Sequence, residues 1–332
     1  MNNTPITDTS KKEGLFCRDL PSKPLPHIGT VLVTGASGHV GGRLVPELLA
    51  RGYKVRLMVR RRKIAYKSRW TGAEIVVADA LNEEHLKTAL DGIDTAYYLI
   101  HSMRLGSKGF EAADIRASAN FRKVADEKHV KRIIYLGGLG DIRSSLSSHL
   151  CNRIEVAREL KKGKVAVTVL RAAVIVGKGS ASYEIMQYLV KRLPVIPFPL
   201  QARNKCQPVA ISDVIKYLVG VLEFPETAGK DFDIGGRDVL TYRELLKVLA
   251  GLLDKRTIFV PFPFLNIGLY TYLASLLTPI PNSITRCLVE GLKNEAVCHD
   301  ESIKKYFTFE PMSYKEAVLR TRLPGNQDNV PC

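Results

Sequence analysis

The 332-residue sequence predicts an α/β fold, a doubly wound parallel sheet with a smaller, discontinuous C-terminal lobe. Three observations carry this. From residue 30 onward, short apolar runs alternate with segments of helical periodicity, the pattern of a parallel sheet covered on both faces. A glycine-rich turn separates the first strand from the first helix. After Gly177 the alternation gives way to the Pro-rich run VIPFPL and a long uncharged stretch.

Each element has its own signal. Residues 31–33 read as a short buried strand, and 39–51 as a helix with Val40, Leu44 and Leu48 on one side and Gly52 at its C-terminal end. Strands follow at 54–59, 74–78 and 94–100. Asn82 is placed to cap a helix that runs to Leu90 and closes at Gly92. Over 108–128, Phe110, Ala113, Ala117, Phe121 and Val124 recur at spacings of three and four, which buries one helical face. A fifth strand at 131–136, a helix at 146–162, a sixth strand with its extension at 165–176 and a seventh at 231–234 complete the series, with 211–222 returning to the sheet. The expected organisation is a flexible leader over 1–29, a nucleotide-binding domain over 30–177 and about 208–236, a second lobe over about 178–207 and 237–323, and a polar tail over 324–332.

Composition narrows the function classes. Hydrophobic residues make up 45% of the chain, which excludes whole-chain disorder. Lys and Arg total 49 against 33 Asp and Glu, and a formal charge of +16 calls for an anionic partner. Six scattered cysteines, without a C-x-x-C pair or a nearby His at ligand spacing, argue against a metal site and read as free thiols of a reducing, cytoplasmic compartment. Residues 257–285 carry no charge, but prolines at 261, 263, 279 and 281 leave only 264–278 as a continuous helix. Such a helix spans ~22 Å, short of the ~30 Å a bilayer core requires. It is expected to be buried or pocket-lining, with shallow insertion at a membrane interface beside Lys255, Arg256 and Arg286 as the alternative.

The strongest chemical signal is VLVTGASGHVGGRL. Gly35 permits the tight turn, Gly38 lets backbone N–H groups approach a pyrophosphate, and Gly41 lets the helix pack on the strand. Together with Ala36, Ser37, His39 and Val40, these residues form the expected phosphate-binding loop, and the fold is of Rossmann type. With VRLMVRR, VVADALNEEHL, YYLIHSM, RIIYLGGLG, CQPVAISDVIKYL and FDIGGRDVLTYRELL, this loop resembles the extended and atypical branch of the short-chain dehydrogenase/reductase superfamily over about residues 30–320. The closing combination is similar to bacterial NAD(P)H-binding proteins related to the NADPH-holding accessory subunit of respiratory complex I.

The end of the second strand bears on cofactor choice, because an arginine there accommodates the 2′-phosphate of NADP where an acid would bind the ribose of NAD. The sequence offers Arg60, then Arg61 and Arg62, and no acid from 48 to 73, so NADP(H) is preferred over NAD(H). The resemblance implies that Asp79, with Ala80, approaches the adenine, and that Leu99, Ile100 and His101 line the nicotinamide side. The same acid-free region holds Arg51, Lys54, Arg56, Lys63, Lys67 and Arg69, which leaves cations free for an acidic membrane face or protein.

Superfamily members ordinarily act through Tyr-x-x-x-Lys on the helix after the fifth strand. The chain has no Tyr between 136 and 182, and His149 and Arg153 stand there at the same i, i+4 spacing. Histidine can exchange a proton near neutral pH, whereas Arg153 can bind ribose or phosphate but cannot act as a base. Ser144, Ser145, Ser147 and Ser148 offer an assisting hydroxyl. Two functions stand. One is an NADP(H)-dependent oxidoreductase acting on an apolar or quinone-like small molecule. The other is a non-catalytic NADPH-binding structural, assembly or redox-sensing protein at a protein complex or a membrane surface. Nucleic acid is not an expected partner, since no recognition module accompanies the charge.

Overall fold

The structure, a computed structural model, describes residues 15–61, 63–101, 110–140, 146–262 and 267–322. Seven parallel strands form the central sheet: β1 (Thr30–Thr34), β2 (Val55–Val59), β3 (Glu74–Val77), β4 (Ile93–Tyr98), β5 (Arg132–Gly138), β6 (Ala166–Ala172) and β7 (Asp231–Ile234). Their order is β7-β6-β5-β4-β1-β2-β3. The chain reverses direction across the sheet between β1 and β4, which opens a crevice at the strands' C-terminal ends.

Helices α1 (Gly41–Ala50) and α7 (Ile211–Glu223) pack together on one face, while α3 (Glu83–Ala89), α4 (Phe110–Glu127) and α5 (Ser148–Lys161) cover the other. The two faces bury separate apolar clusters, so Val31 and Val33 point one way and Leu32 the other. The expected elements lie close to their observed bounds, and Asn82 caps α3 by accepting from the His85 backbone N–H at 3.2 Å. Sequence periodicity missed α2 (Ala65–Arg69), one turn inside the basic segment.

A third apolar cluster gathers α6 (Ala181–Arg192), α8 (Tyr242–Leu252), α9 (Ile267–Leu277), α10 (Asn282–Glu290) and α11 (Tyr314–Arg320). Two short paired strands, Val195–Phe198 and Ile258–Pro261, border it. Among the described residues no helix is long and apolar enough to cross a membrane. The uncharged stretch departs from its expected burial: α9 buries Tyr270 and Ala274 but exposes Leu269, Tyr272 and Leu276. Residues 263–266 lie outside the described residues.

The leader also departs from expectation. Residues 1–14 lie outside the described residues, but in 15–29 Phe16, Cys17 and Leu20 are buried against the α1/α7 face. The reason is polar as well as apolar. Glu47 accepts the Phe16 N–H at 2.6 Å, and the buried Glu223 accepts Ser22 Oγ at 2.6 Å. Glu223 also forms a two-point pair with Arg51, Nε–Oε1 at 2.5 Å and Nη2–Oε2 at 2.6 Å. Arg51 is therefore consumed by the fold, as is Arg56, which pairs with Glu74 at 2.7 Å, and the expectation that these cations are free for a partner is corrected.

Candidate nucleotide-binding and active site

A cleft of about 1780 Å³ lies at the C-terminal ends of β1, β2, β4 and β5. Along its floor the turn after β1 brings Gly35, Ser37, Gly38, His39, Val40 and Gly41 together. Gly35 has φ +62°, and a Cβ there would stand 2.5 Å from the Leu99 carbonyl oxygen. A Cβ on Gly41 would stand 2.6 Å from the Gly35 carbonyl oxygen, so the loop closes on the helix only with glycine at both places. Ala36 differs from expectation: its side chain is fully buried in the core and does not line the cleft.

The start of α1 has no side-chain cap and no acid in its first turn, which leaves the positive end of the helix dipole to the cleft. Arg43, invisible to motif reading, holds this turn in shape. Its Nη1 donates to the His39 carbonyl at 2.8 Å and to His39 Nδ1 at 3.0 Å, and Nη2 donates to the Lys178 carbonyl at 2.7 Å. Because arginine only donates, His39 Nδ1 accepts and Nε2 carries the proton. Burial, then the Arg43 charge, push the His39 pKa down to about 3. His39 is thus a neutral donor whose buried Nε2 has no partner among the described residues, an arrangement that fits a phosphate oxygen in the cleft.

At the far end of β2, Arg60 and Arg61 line the cleft, exposed and without a hydrogen bond or ion pair among the described residues. Arg62 lies outside the described residues. Beside them α2 contributes Tyr66 and Arg69 to the wall, with the Arg69 guanidinium 4.7 Å from the Trp70 ring. Sequence reasoning counted Arg69 only as charge; the one-turn helix that points it inward is too short to show periodicity. Asp79 and Ala80 line the same end, and Asp79 Oδ1 accepts the Leu81 N–H at 3.0 Å.

The other end is built by the tip of β4 and by α5. Leu99, Ile100, His101, His149 and Arg153 all line it. The His101 and His149 rings lie 5.0 Å apart at 40°. His101 Nδ1 donates to Asp114 Oδ2 at 3.0 Å, and Asn152 Nδ2 donates to the same oxygen at 2.9 Å. Asp114 and Asn152, both buried, were missed because each sits in an amphipathic helix with no motif of its own. The Arg153 guanidinium donates to the Leu136 carbonyl and stacks 4.9 Å from the Tyr135 ring centroid. Of the four serines, Ser144 and Ser145 lie outside the described residues, and Ser147 and Ser148 do not line the cleft.

One expectation is corrected in kind. Burial, reinforced by His101 and Arg153, pushes the His149 pKa down to about 3, so it does not titrate near neutral pH. It offers a neutral imidazole N–H rather than a resident proton. Ile175 and Ile284 give this end an apolar wall, Ile284 arriving from α10 in the third cluster. No group of His, Cys, Asp and Glu among the described residues could hold a metal ion.

Comparison with known proteins agrees with this geometry. Residues 35–188 match the family described as NAD(P)H-binding. Photosystem II assembly factor Ycf39 of Trieres chinensis is 24% identical over 226 residues, which span 67% of this chain and 69% of that protein. The mitochondrial NADH dehydrogenase [ubiquinone] 1 alpha subcomplex subunit 9 of Arabidopsis thaliana is 24% identical over 240 residues, 70% of this chain and 60% of that one. Among solved structures, the NADPH-dependent quinone oxidoreductase QOR2 of Escherichia coli, complexed with NADPH, shares the fold with a TM-score of 0.70 at 18% identity, covering 87% of this chain and 99% of that one. The glycine loop, the 3-2-1-4-5-6-7 parallel sheet and these matches agree on a Rossmann-type fold whose residues 35–188 carry an NAD(P)H-binding domain, and the chain is similar to these nicotinamide-dinucleotide-binding proteins.

Proposed function

We propose that the protein is an NADP(H)-dependent reductase of an apolar, quinone-like small molecule, with His149 and Arg153 in the places that tyrosine and lysine ordinarily take. The observation that carries this reading is the meeting of two ends in one cleft: Arg60 and Arg61, without an ion pair among the described residues, at one, and the neutral His149 beside an isoleucine wall at the other. The glycine loop and His39 would hold the pyrophosphate, Arg60 the 2′-phosphate with Arg61 beside it, Asp79 and Ala80 the adenine end, and Leu99, Ile100 and His101 the nicotinamide end. When bound, NADPH supplies a hydride. The chain supplies the rest: Arg153 orients the ribose, the apolar wall excludes water from one side, and an N–H of His149 bonds the oxygen being reduced. A neutral imidazole polarises that oxygen without charge transfer, and the proton that completes the reduction is drawn from water in the open cleft.

Two measurements test the assignment. Arg60→Ala is expected to weaken NADPH binding about tenfold to a hundredfold while leaving NADH binding unchanged, the loss of a charge-assisted contact, as read by fluorescence titration. Equal loss for both nucleotides would move the 2′-phosphate elsewhere. His149→Ala is expected to lower kcat about a hundredfold with NADPH affinity intact, the size of effect seen when an oxygen-stabilising donor is removed. Unchanged turnover would defeat the role of His149.

The second reading, a non-catalytic NADPH-holding protein within a larger assembly, draws on the names of the relatives, an assembly factor and a subunit. It is favoured if NADPH binds tightly and no carbonyl or quinone oxidises it. Under either reading we place the protein in the cytoplasm, peripheral to the inner face of a membrane, where an apolar substrate or a complex would be met.

A further inference from the structure

We infer that the ribbon of strands 195–198 and 258–261, together with the outer side of α9, is a docking surface for an anionic lipid bilayer. The inference rests on the peripheral location proposed above and adds to it a surface and a lipid chemistry.

Large apolar side chains are exposed on both elements. Ile258 and Val260 alternate with the partly buried Phe259, so the strand turns one face to the core and one outward. Phe262 follows them outward, and the paired Val195 is exposed beside Ile258. In α9 the exposed residues Leu269, Tyr272 and Leu276 fall at i, i+3 and i+7, which is one side of the helix, opposite the buried Tyr270 and Ala274. Ile258 and Leu276 are each 63% exposed, a cost in water that a soluble surface does not normally carry in a cluster.

Charge indicates what covers it. Lys191 and Arg192 end α6 just before strand 195–198, and Lys255 and Arg256 just precede strand 258–261. The strands are parallel with Ile258 opposite Val195, so the four cations meet at one end of the ribbon. Lys191, Lys255 and Arg256 are exposed and make no ion pair among the described residues, while Arg192 donates to the Leu277 carbonyl at 2.5 Å, tying the basic end to the end of α9. Asp254 adjoins the cluster and leaves it net positive. From 255 to 289 the chain has no acidic residue. An apolar face with a basic rim and no acid suits insertion at the level of anionic headgroups, where both the buried area and the cations contribute.

The test is co-sedimentation of the full chain with vesicles. Vesicles of equal parts phosphatidylglycerol and phosphatidylcholine are expected to bind it in a salt-sensitive way, and vesicles of phosphatidylcholine alone far less. Ile258→Glu with Leu276→Glu, both at exposed positions, is expected to weaken binding at least about tenfold, as is Lys255→Glu with Arg256→Glu, each with NADPH binding retained as the sign of an intact fold. Vesicle binding that survives both pairs of substitutions would overturn this surface while leaving the peripheral location standing. Absence of binding to the anionic vesicles would overturn both. A wild-type oligomer dissociated by the same substitutions would assign the face to a second copy of the chain and overturn the lipid.

Discussion

Glu223→Ala is expected to lower the unfolding free energy by about 3–5 kcal/mol, the cost of leaving a buried ion unpaired. Glu223 is fully buried at its side chain, and Arg51, only 14% exposed there, commits its Nε–Nη2 edge to it. The same carboxylate accepts Ser22 Oγ at 2.6 Å and the Tyr53 hydroxyl at 3.2 Å. One substitution therefore removes the carboxylate partner of a cation and the acceptor of two hydroxyls, and it loosens the 15–29 segment on α7, where the Lys216–Asp19 pair at 2.6 Å is left as a polar tie. Urea denaturation checks the magnitude. Protease cleavage within 15–29 that precedes global unfolding checks the mechanism. Arg51→Ala combined with Glu223→Ala is expected to cost less than the sum of the two single losses, because neither charge is then left alone. A loss within a few tenths of a kcal/mol for Glu223→Ala would show that the cluster does not hold the segment.

Acid is expected to destabilise the protein well before its carboxylates titrate. His39 and His149 have pKa values of about 3 in the folded chain, against an ordinary value of 6.5. The unfolded chain then binds more protons than the folded one below pH 6.5, so stability is whole above that pH and falls as pH drops toward 3. At pH 5 each histidine accounts for a loss of about 2 kcal/mol. His101, also pushed down by burial against the pull of Asp114, adds in the same direction. Glu47 and Asp213, whose carboxyls burial pushes up, act the opposite way, so the comparison must be made between variants at each pH. His39→Asn and His149→Gln are each expected to flatten the slope between pH 7 and 5 in urea titrations. Parallel slopes for the variants and the wild type would mean that neither imidazole is held neutral.

Much of this architecture was legible in residue order because its signals are local. The loop from Gly35 to Gly41 announces itself by spacing, Asn82 and Gly92 punctuate α3, and the parallel strands show as short apolar runs. The cleft residues at the strand ends could be named for the same reason, since each follows its strand directly. What escaped depends on contacts far apart in sequence. Arg43 reaches Lys178 across 135 positions, and Asp114 meets Asn152 across 38, so nothing nearby distinguishes them from ordinary helix residues. The protonation state of His149 depends on burial among His101, Arg153 and the helix around it, which no i, i+4 spacing encodes. The basic surplus had to be sorted by partner: Arg51 and Arg56 are spent on Glu223 and Glu74, whereas Arg60 and Arg61 line the cleft without an ion pair among the described residues.

The proposed reaction requires one cleft to hold a reducible apolar substrate beside His149 and a bound NADPH. Its most direct measurement is the reduced-nicotinamide absorbance of the purified protein loaded with one equivalent of NADPH, followed after addition of a short-chain quinone. Loss of that absorbance with matching formation of the quinol, about a hundredfold slower in His149→Ala, is the predicted result. Tightly bound NADPH whose absorbance persists through quinones and aldehydes alike would contradict it.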